Sequence, residues 1–318
     1  NELLYISLKE NLGGDFMTGN IKEKLTGVFP PLTTPFVNQQ VAYDKLAENI
    51  EKMNQTRLRG YMPLGSNGEF KSLTDEEALK VVEVVMKHKA KDKVIIAGTG
   101  RESAYATIEF TKKVADLGVD FASVITPHYF AKKMDDDALI RFYTAVGDAS
   151  PIPIMLYNVP GYAGGVTVSA HVITVLSQHP NIVGMKDTSK EDIGIYTGAV
   201  PEGQEFYILA GSISKFYDGL TKGAVGGVLS IADFLPEECC EIQELFMAGK
   251  LEEAKQLSDR LRNLTKEVSG KHGVAGVKAA MNLLGYNGTE PRNPLRALTE
   301  EEIKELKDIF VREGLCHD

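Results

Sequence analysis

A lysine at the end of a short apolar run is the residue whose position first suggests chemistry. Lys186 follows Ile182-Val183-Gly184-Met185, which has the composition of a buried strand. Burial disfavours the charged form of an amine and lowers its pKa from about 10.4. A neutral amine attacks ketones to form imines, whose protonated nitrogen accepts electrons. The alternative is a lysine that has passed the strand end and points to water, the more frequent case when spacing alone is considered.

A tyrosine at the end of the preceding predicted strand is the candidate acid and base. Imine formation and carbon-carbon cleavage both need proton transfer next to the amine, and Tyr157 lies one strand away from Lys186. A neighbouring cation is expected to lower the pKa of this phenol, and Ser66 could pass the proton onward. A core tyrosine with a satisfied hydroxyl is the commoner alternative.

The glycine-bearing segment Gly65-Ser66-Asn67-Gly68-Glu69 is a candidate anion site. Glycines let backbone N–H groups approach a carboxylate, and Ser66 and Asn67 add side-chain donors. The helix expected directly after this turn would assist through its dipole. Taken alone, the segment is also an ordinary turn, since Ser, Asn and Gly are common turn formers.

These residues follow strands of a predicted barrel. From Thr26 onward, short apolar runs alternate with amphipathic helical patterns, which is typical of β-α units around a parallel sheet. Eight nearly wholly apolar strands predict an α/β fold of the (β/α)8 TIM-barrel type, with chemistry at the carboxyl ends of the strands. The predicted strands are Gly27-Leu32, Gly60-Leu64, Val94-Gly98, Phe121-Thr126, Ile152-Tyr157, Ile182-Lys186, Phe206-Ala210 and Val225-Ser230.

Three regions are expected along the chain. Residues 1–25 read as an N-terminal extension, of which 1–20 is polar and loosely held. Residues 26–248 would form the barrel, and residues 249–318 a C-terminal helical region. No Gly-x-Gly-x-x-Gly turn follows the first predicted strand, so a dinucleotide-binding sheet is disfavoured.

Composition favours small-molecule chemistry. The net charge of -9, without a concentrated run of Lys and Arg, argues against a nucleic-acid surface. No stretch approaches the ~20 consecutive apolar residues of a membrane helix. The three cysteines form no disulfide framework, which favours a cytoplasmic location. The six histidines lack zinc-site spacing, so no metal is expected.

Four motifs in order carry a resemblance to a known family. They are Phe29-Pro30-Pro31-Leu32-Thr33-Thr34-Pro35-Phe36, Gly65-Ser66-Asn67-Gly68-Glu69, Tyr157-Asn158-Val159-Pro160 and Gly184-Met185-Lys186-Asp187. Together they resemble the dihydrodipicolinate synthase/N-acetylneuraminate lyase family of pyruvate-dependent class I aldolases, over nearly the whole chain.

The resemblance implies a role for each site residue. Lys186 would form a Schiff base with pyruvate or another 2-oxo acid, with Tyr157 as general acid and base and Ser66 as its relay. Ser66 and Asn67 would hold the pyruvate carboxylate. Tyr129 matches a family tyrosine that, in the synthases, reaches across a dimer contact into the neighbouring site. The family is usually tetrameric, a dimer of dimers, and uses no metal or organic cofactor.

Differences between these motifs and those of the synthases bear on which substrate the protein uses. The synthases usually carry two threonines where this chain has Ser66-Asn67, and an arginine where it has Tyr162. The Gly-Ser-Asn-Gly-Glu turn is similar to that of 4-hydroxy-2-oxoglutarate aldolases. Thr188, Gly211 and Tyr162 are expected to contact the substrate beyond its pyruvate part.

We therefore expect cleavage of a 4-hydroxy-2-oxo acid, such as 4-hydroxy-2-oxoglutarate or a 2-keto-3-deoxy sugar acid, into pyruvate and an aldehyde. Three alternatives stay open. One is dihydrodipicolinate synthase activity on pyruvate and aspartate semialdehyde. The second is a sugar-acid dehydratase that uses the same lysine imine. The third is a non-catalytic barrel that binds a small acid.

Overall fold

Eight parallel strands of one sheet form the centre of the molecule. The computed structural model describes residues 21–317. In chain order its strands are β1 (Gly27–Phe29), β2 (Phe36–Val37), β3 (Gln40–Val41), β4 (Gly60–Tyr61), β5 (Val94–Gly98), β6 (Phe121–Ile125), β7 (Ile154–Asn158), β8 (Ile182–Asp187), β9 (Tyr207–Ala210) and β10 (Gly226–Val228). β2 and β3 form a separate antiparallel hairpin.

The sheet curls into a barrel whose edge strands meet. Its order is β1-β10-β9-β8-β7-β6-β5-β4. Two backbone hydrogen bonds of 3.0 Å, from Arg59 N to Val28 O and from Met62 N to Pro30 O, join the edges. The predicted TIM barrel is therefore confirmed, and every predicted strand overlaps an observed one, with β7 and β8 each ending one residue beyond the predicted end.

Helices alternate with the barrel strands and continue after the last one. They are α1 (Ile21–Leu25), α2 (Tyr43–Met53), α3 (Asp75–His88), α4 (Ala104–Ala115), α5 (Asp136–Ala149), α6 (Ala170–Leu176), α7 (Ile193–Ala199), α8 (Ile213–Thr221), α9 (Pro236–Met247), α10 (Leu251–Thr265), α11 (Lys271–Leu283) and α12 (Glu300–Arg312). Short 3-10 helices lie at Phe70–Ser72, Ala131–Lys133 and Ser230–Asp233, and a π-helical turn at Lys266–Gly270. None of the helices between residues 21 and 317 combines the length and apolar character needed to span a bilayer.

Side chains that alternate along the strands divide the core in two. One set fills the barrel, and the other packs between the strands and the helices. The apolar cluster inside the barrel consists of Leu25, Phe29, Met62, Val94, Ile96, Phe121, Met155, Val183, Leu209 and Val228.

The first helix contributes to this interior. Leu25 of α1 is fully buried and Ile21 packs against the same cluster, so this helix is attached to the barrel although it falls within the predicted N-terminal extension. The expectation of a loosely held segment at residues 1–20 lies outside the described residues. The division of the chain at residues 25/26 and 248/249 stays a prediction.

A buried ion pair ties the C-terminal helices to the turn after β4. Lys278 Nζ of α11 lies 2.7 Å from Glu69 Oε1, with side chains 1% and 2% exposed. The ammonium also donates to the carbonyls of Thr34 (2.8 Å) and Glu290 (2.9 Å). Burial lowers the pKa of Lys278 to about 8, and Glu69 partly offsets this effect. The C-terminal region thus helps to hold the turn that carries Ser66 and Asn67.

We expect Lys278→Met to lower the free energy of unfolding by about 3–5 kcal/mol, because it leaves the Glu69 carboxylate buried without its partner. Urea denaturation measures the change. Lys80→Met, which removes an exposed lysine from α3, serves as control and should change stability by less than about 0.5 kcal/mol. Glu69→Gln combined with Lys278→Met should be more stable than Lys278→Met alone. A single variant as stable as the control would contradict the assigned role of the pair.

Candidate active site

The register between two neighbouring strands sets the centre of the site. Tyr157 of β7 and Lys186 of β8 are paired residues of the parallel ladder. The register shifts between Ile154 and Met155, which pair with Ile182 and Gly184. After this irregularity both strands alternate in step, so Tyr157 and Lys186 point together into the barrel. The pattern of apolar runs predicted this proximity, and the structure confirms it.

The next residue on each strand, Asn158 on β7 and Asp187 on β8, faces the surrounding helices and holds the two strands in place. Asn158 and Asp187 are fully buried, and Asn158 Nδ2 donates to Asp187 Oδ1 at 2.8 Å. Asn158 Nδ2 also donates to the Tyr196 hydroxyl of α7 at 3.1 Å. Lys215 of α8 forms an ion pair with Asp187 Oδ2. These contacts join β7 and β8 to two surrounding helices, which limits the movement of the inward-facing pair.

The Lys186 amine is buried among few polar atoms. The residue is 4% exposed, and Nζ lies 3.8 Å from Met62 Sδ and 4.2 Å from the centroid of the Tyr157 ring. Burial lowers the pKa of Lys186 to about 7, and the carboxylate of Asp233 partly offsets this effect. A large fraction of the amine is therefore neutral and nucleophilic near pH 7.

The Tyr157 hydroxyl lies 3.2 Å from Ser66 Oγ, as a relay would require. Burial raises the pKa of Tyr157 to about 12, and the hydrogen bond with Ser66 only partly counters this effect. The expectation of a phenol with a lowered pKa is therefore wrong for the unliganded site. The cause is burial of the phenol itself.

The turn that carries Ser66 and Asn67 leaves donors free. Gly68 N and Glu69 N bond back to the carbonyls of Gly65 (3.1 Å) and Ser66 (3.0 Å). The backbone N–H groups of Ser66 and Asn67 have no acceptor among residues 21–317. Two adjacent free N–H groups beside a buried amine are suited to a carboxylate.

The helix dipole expected to assist this turn is not in place. Residues Phe70–Ser72 form a 3-10 helix after the turn, and α3 begins only at Asp75. Thr74 and Glu77 cap the first turn of α3 in a capping box. The dipole expectation is wrong, because the effect falls off within the first helical turn.

Asp233 is a buried acid next to the turn that the sequence analysis missed. It is fully buried in the Ser230–Asp233 3-10 helix, and its Oδ2 accepts from Asn67 Nδ2 at 3.2 Å. Burial raises the pKa of Asp233 to about 7, although the Asn67 amide favours the ionised form. The signal in the sequence was a single acid inside Ile231-Ala232-Asp233-Phe234-Leu235, just after the last strand.

Thr188 and Gly211 lie together at the mouth of the barrel, above Lys186. Thr188 is half-buried, and its hydroxyl donates to the Asn158 carbonyl at 2.9 Å. A Cβ on Gly211 would lie 2.1 Å from the Thr188 methyl and 2.7 Å from the Asp187 carbonyl. Only glycine therefore fits at this position, where its role is to let β9 approach β8. The predicted substrate contacts of both residues stay predictions.

Two predicted aromatic residues lie away from this cluster. Tyr129 is 79% exposed and stacks edge-on against Phe130, with ring centroids 5.0 Å apart. Tyr162 is 69% exposed on the loop after β7. The cluster of one chain thus consists of Lys186, Tyr157, Ser66, Asn67 and Asp233. Among residues 21–317, no group of three His, Cys, Asp or Glu side chains is placed to hold a metal ion.

The chain matches known proteins along most of its length. The model of the dihydrodipicolinate synthetase family matches residues 24–312. The 4-hydroxy-tetrahydrodipicolinate synthase of Geobacter sp. strain M21 is 32% identical over 292 residues, which covers 89% of this chain and 97% of that protein. A probable mitochondrial 4-hydroxy-2-oxoglutarate aldolase of Emericella nidulans is also 32% identical, over 291 residues, covering 89% of this chain and 93% of that protein.

Solved structures agree with the fold. The 4-hydroxy-tetrahydrodipicolinate synthase of Methylacidiphilum fumariolicum SolV superposes with a TM-score of 0.84 at 28% identity, over 91% of this chain and 96% of that one. A prophage protein of the same family from E. coli K12, solved in complex with pyruvate, superposes with a TM-score of 0.84 at 25% identity, over 92% of this chain and 99% of that one. The chain therefore belongs to the dihydrodipicolinate synthetase family and is an aldolase-type lyase of that family.

Proposed function

We propose that the protein is a class I aldolase that cleaves a 4-hydroxy-2-oxo acid into pyruvate and an aldehyde, through an imine on Lys186. One observation carries the proposal. The register of β7 and β8 places a buried amine, with its pKa lowered to about 7, 4.2 Å from the ring of a tyrosine whose hydroxyl contacts Ser66. The imine supplies the electron sink, so the reaction needs no separate cofactor.

The first half of the reaction forms the iminium ion that serves as the electron sink. Neutral Lys186 attacks the C2 ketone of the substrate, and one proton moves from the nitrogen to the former ketone oxygen to give the carbinolamine. The Tyr157 phenol then donates its proton to the carbinolamine hydroxyl, which leaves as water and yields the iminium ion. The new cation lies beside the ring and stabilises the phenolate, so the phenol acquires a lowered pKa only in the covalent intermediate.

The second half breaks the carbon-carbon bond. The Tyr157 phenolate removes the proton of the 4-hydroxyl, the C3–C4 bond breaks, and its electron pair moves into the iminium as the aldehyde leaves. Protonation of the resulting enamine at C3 and hydrolysis of the iminium release pyruvate and restore the amine. Ser66, 3.2 Å from the Tyr157 hydroxyl, is the proposed relay for this proton.

The free N–H groups of Ser66 and Asn67 are the proposed site for the substrate carboxylate. Binding there would place C2 of the substrate near Lys186, because Ser66 of the turn and the Lys186 amine both contact Tyr157. Hydrogen bonds to backbone donors hold a carboxylate without a cationic side chain. Thr188 and Gly211 would then line the path of the leaving aldehyde.

The choice of a 4-hydroxy-2-oxo acid has two supports. The turn that carries Ser66 and Asn67 is similar to that of 4-hydroxy-2-oxoglutarate aldolases, and the Emericella nidulans relative bears the name of a probable enzyme of that kind. Tyr162, 69% exposed, occupies the place where the synthases carry an arginine. Relatives named 4-hydroxy-tetrahydrodipicolinate synthase make that activity the second candidate. The dehydratase also stays as an alternative, whereas membership of a lyase family argues against the non-catalytic barrel.

Assembly and location are part of the proposal. The exposed Tyr129 and Phe130 pair suits a contact between subunits, as expected for a family tyrosine that reaches into a neighbouring site. We accordingly propose a homotetramer built as a dimer of dimers. The cytoplasmic location inferred from the cysteine content stays a prediction.

Borohydride reduction in the presence of pyruvate should attach a stable adduct to Lys186, because reduction converts the iminium into a secondary amine. Peptide mass spectrometry identifies the modified residue. Lys186→Ala should lose both the adduct and turnover while its circular dichroism spectrum stays unchanged. Lys190→Ala, which removes an exposed lysine nearby, is the control and should retain both. An adduct on any other lysine, or none, would contradict the mechanism.

Tyr157→Phe should lower kcat by about 10²–10⁴-fold, because it removes the group that transfers the proton but leaves the ring in place. Steady-state kinetics with the best substrate measures the loss. Ser66→Ala should reduce kcat less than Tyr157→Phe, since solvent can replace a relay. A Tyr157→Phe enzyme with unchanged kcat would remove Tyr157 from the reaction.

A panel of substrates separates the candidate activities. We expect pyruvate and an aldehyde to be released from 4-hydroxy-2-oxoglutarate faster than from 2-keto-3-deoxygluconate or N-acetylneuraminate. Pyruvate with aspartate semialdehyde should give no condensation product. Chromatography and mass spectrometry of the products distinguish cleavage, condensation and loss of water. Condensation as the fastest reaction would support the synthase, and water loss without an aldehyde would support the dehydratase.

A further inference from the structure

The carboxylate of Glu102, on the loop after β5, holds the main chain of the loop after β6. Its Oε2 accepts hydrogen bonds of 2.9 Å from the backbone N–H groups of both His128 and Tyr129. Hydrogen bonds to an ionised acceptor are among the stronger ones in proteins. Although burial acts in the opposite direction, the bonds from Tyr129 and His128 keep the pKa of Glu102 below its ordinary value. The carboxylate is therefore ionised near pH 7 and fixes two successive residues.

The second oxygen of Glu102 is held by side chains of the adjoining loops. Oε1 lies 3.3 Å from His128 Nε2 and 3.6 Å from Nζ of Lys71, in the 3-10 helix after β4. The other ring nitrogen of His128, Nδ1, lies 3.0 Å from the Thr126 carbonyl oxygen. One carboxylate thus joins the loops that follow β4, β5 and β6.

Tyr129 combines this fixed main chain with an exposed side chain. The residue is 79% exposed and Phe130 beside it is 69% exposed, with their ring centroids 5.0 Å apart. The Tyr129 hydroxyl has no hydrogen-bond partner among residues 21–317. Adjacent exposed aromatic rings suit a contact with another protein surface. An anchor whose backbone is fixed before association loses less conformational entropy on binding.

We propose that Glu102 is a positioning residue for the active site of the neighbouring subunit. It fixes the Tyr129 loop of its own chain, so that the Tyr129 hydroxyl enters the partner's site at a defined place. The inference rests on the aldolase function and the assembly proposed above, in which this tyrosine reaches into a neighbouring site. Glu102 acts through Tyr129 and not on the substrate, so its effect on turnover arises in the partner's site.

A competing role of Glu102 lies within its own chain. Lys71 follows Phe70, which packs with Tyr157 in one apolar cluster. If Glu102 acted through Lys71, its removal would disturb the site of the same chain. The distances favour the first role, since the two backbone bonds of Glu102 are 2.9 Å long and the contact with Lys71 is 3.6 Å.

Hybrid oligomers separate the contributions of the two chains. Lys186→Ala subunits lack the nucleophile but supply Tyr129, whereas Tyr129→Phe subunits keep the nucleophile but lack the phenol hydroxyl. Each variant alone should turn over at least about 10-fold more slowly than the wild type. Hybrids with two affinity tags, isolated by successive purification, should recover up to half of the wild-type turnover, because one site in each mixed pair then has both groups.

Glu102→Ala is then placed in one kind of subunit at a time. In the Lys186→Ala subunit, which donates Tyr129, it should abolish the recovery. In the Tyr129→Phe subunit, which holds the working site, it should leave the recovery unchanged. Glu102→Gln keeps an oxygen that can accept from the two backbone N–H groups, so in the donating subunit it should retain most of the recovery.

Glu109→Ala is the matched control. Glu109 is an exposed glutamate of α4 that forms an ion pair of 3.2 Å with Lys112. Its removal should leave the recovery unchanged in either kind of subunit. Both arms of the test carry the same Glu102→Ala change, so a general loss of folding would lower the recovery in both.

The outcomes separate this inference from the aldolase function. Failure to trap any adduct on Lys186 of the wild type would overturn the aldolase function and with it this inference. A trapped adduct together with an undiminished Tyr129→Phe enzyme, or with hybrids that recover no turnover, would overturn the inference alone.

The position of Glu102→Ala decides the remaining outcomes. Recovery kept in both arms would show that Tyr129 does not need Glu102, and recovery lost in both would assign Glu102 to its own chain. Either result would overturn the inference. A loss as complete with Glu102→Gln as with Glu102→Ala would also overturn it, because the backbone hydrogen bonds would then not be what positions Tyr129.

Discussion

Everything in the site depends on keeping one amine out of water. A lysine inside a barrel of Val, Ile, Leu, Met and Phe side chains cannot recover the hydration of its ammonium, and this shifts its protonation equilibrium by several orders of magnitude. The same burial acts in the opposite direction on the neighbouring phenol and acid. One physical cause therefore sets the protonation states of the nucleophile, the proton-transfer group and the buried carboxyl.

The barrel has to hold this unfavourable arrangement in place. The inward-facing residues of β7 and β8 contribute few polar contacts of their own, whereas the outward-facing Asn158 and Asp187 are fully hydrogen-bonded to each other and to α7 and α8. The Glu69–Lys278 ion pair holds the turn after β4 in place in the same way. Rigidity thus comes from residues outside the cavity, which leaves the atoms inside free to react.

The barrel and the centre of the site could be predicted from the sequence because both follow from the periodicity of apolar residues. Apolar runs of strand length mark the interior, and Lys186, Tyr157, Ser66 and Asn67 each lie at the end of such a run. Asp233 escaped notice because its role depends on burial by distant segments, which no local pattern reports. The raised pKa of Tyr157 and the late start of α3 were also missed: the first depends on how deeply the folded barrel buries the phenol, and the second on the intervening 3-10 helix.

The contacts of Asp187 with Asn158 and Lys215 on the outer side of the sheet, here called the clamp, have a consequence for how such an enzyme diversifies. The contacts that position the amine lie on the outer side of the sheet, while the residues proposed to face an incoming aldehyde, Thr188 and Tyr162, lie at the half-exposed or exposed rim. Substitutions at the rim leave the clamp intact. Substitutions at the barrel mouth can therefore exchange one substrate for another, while the reactive centre is inherited unchanged.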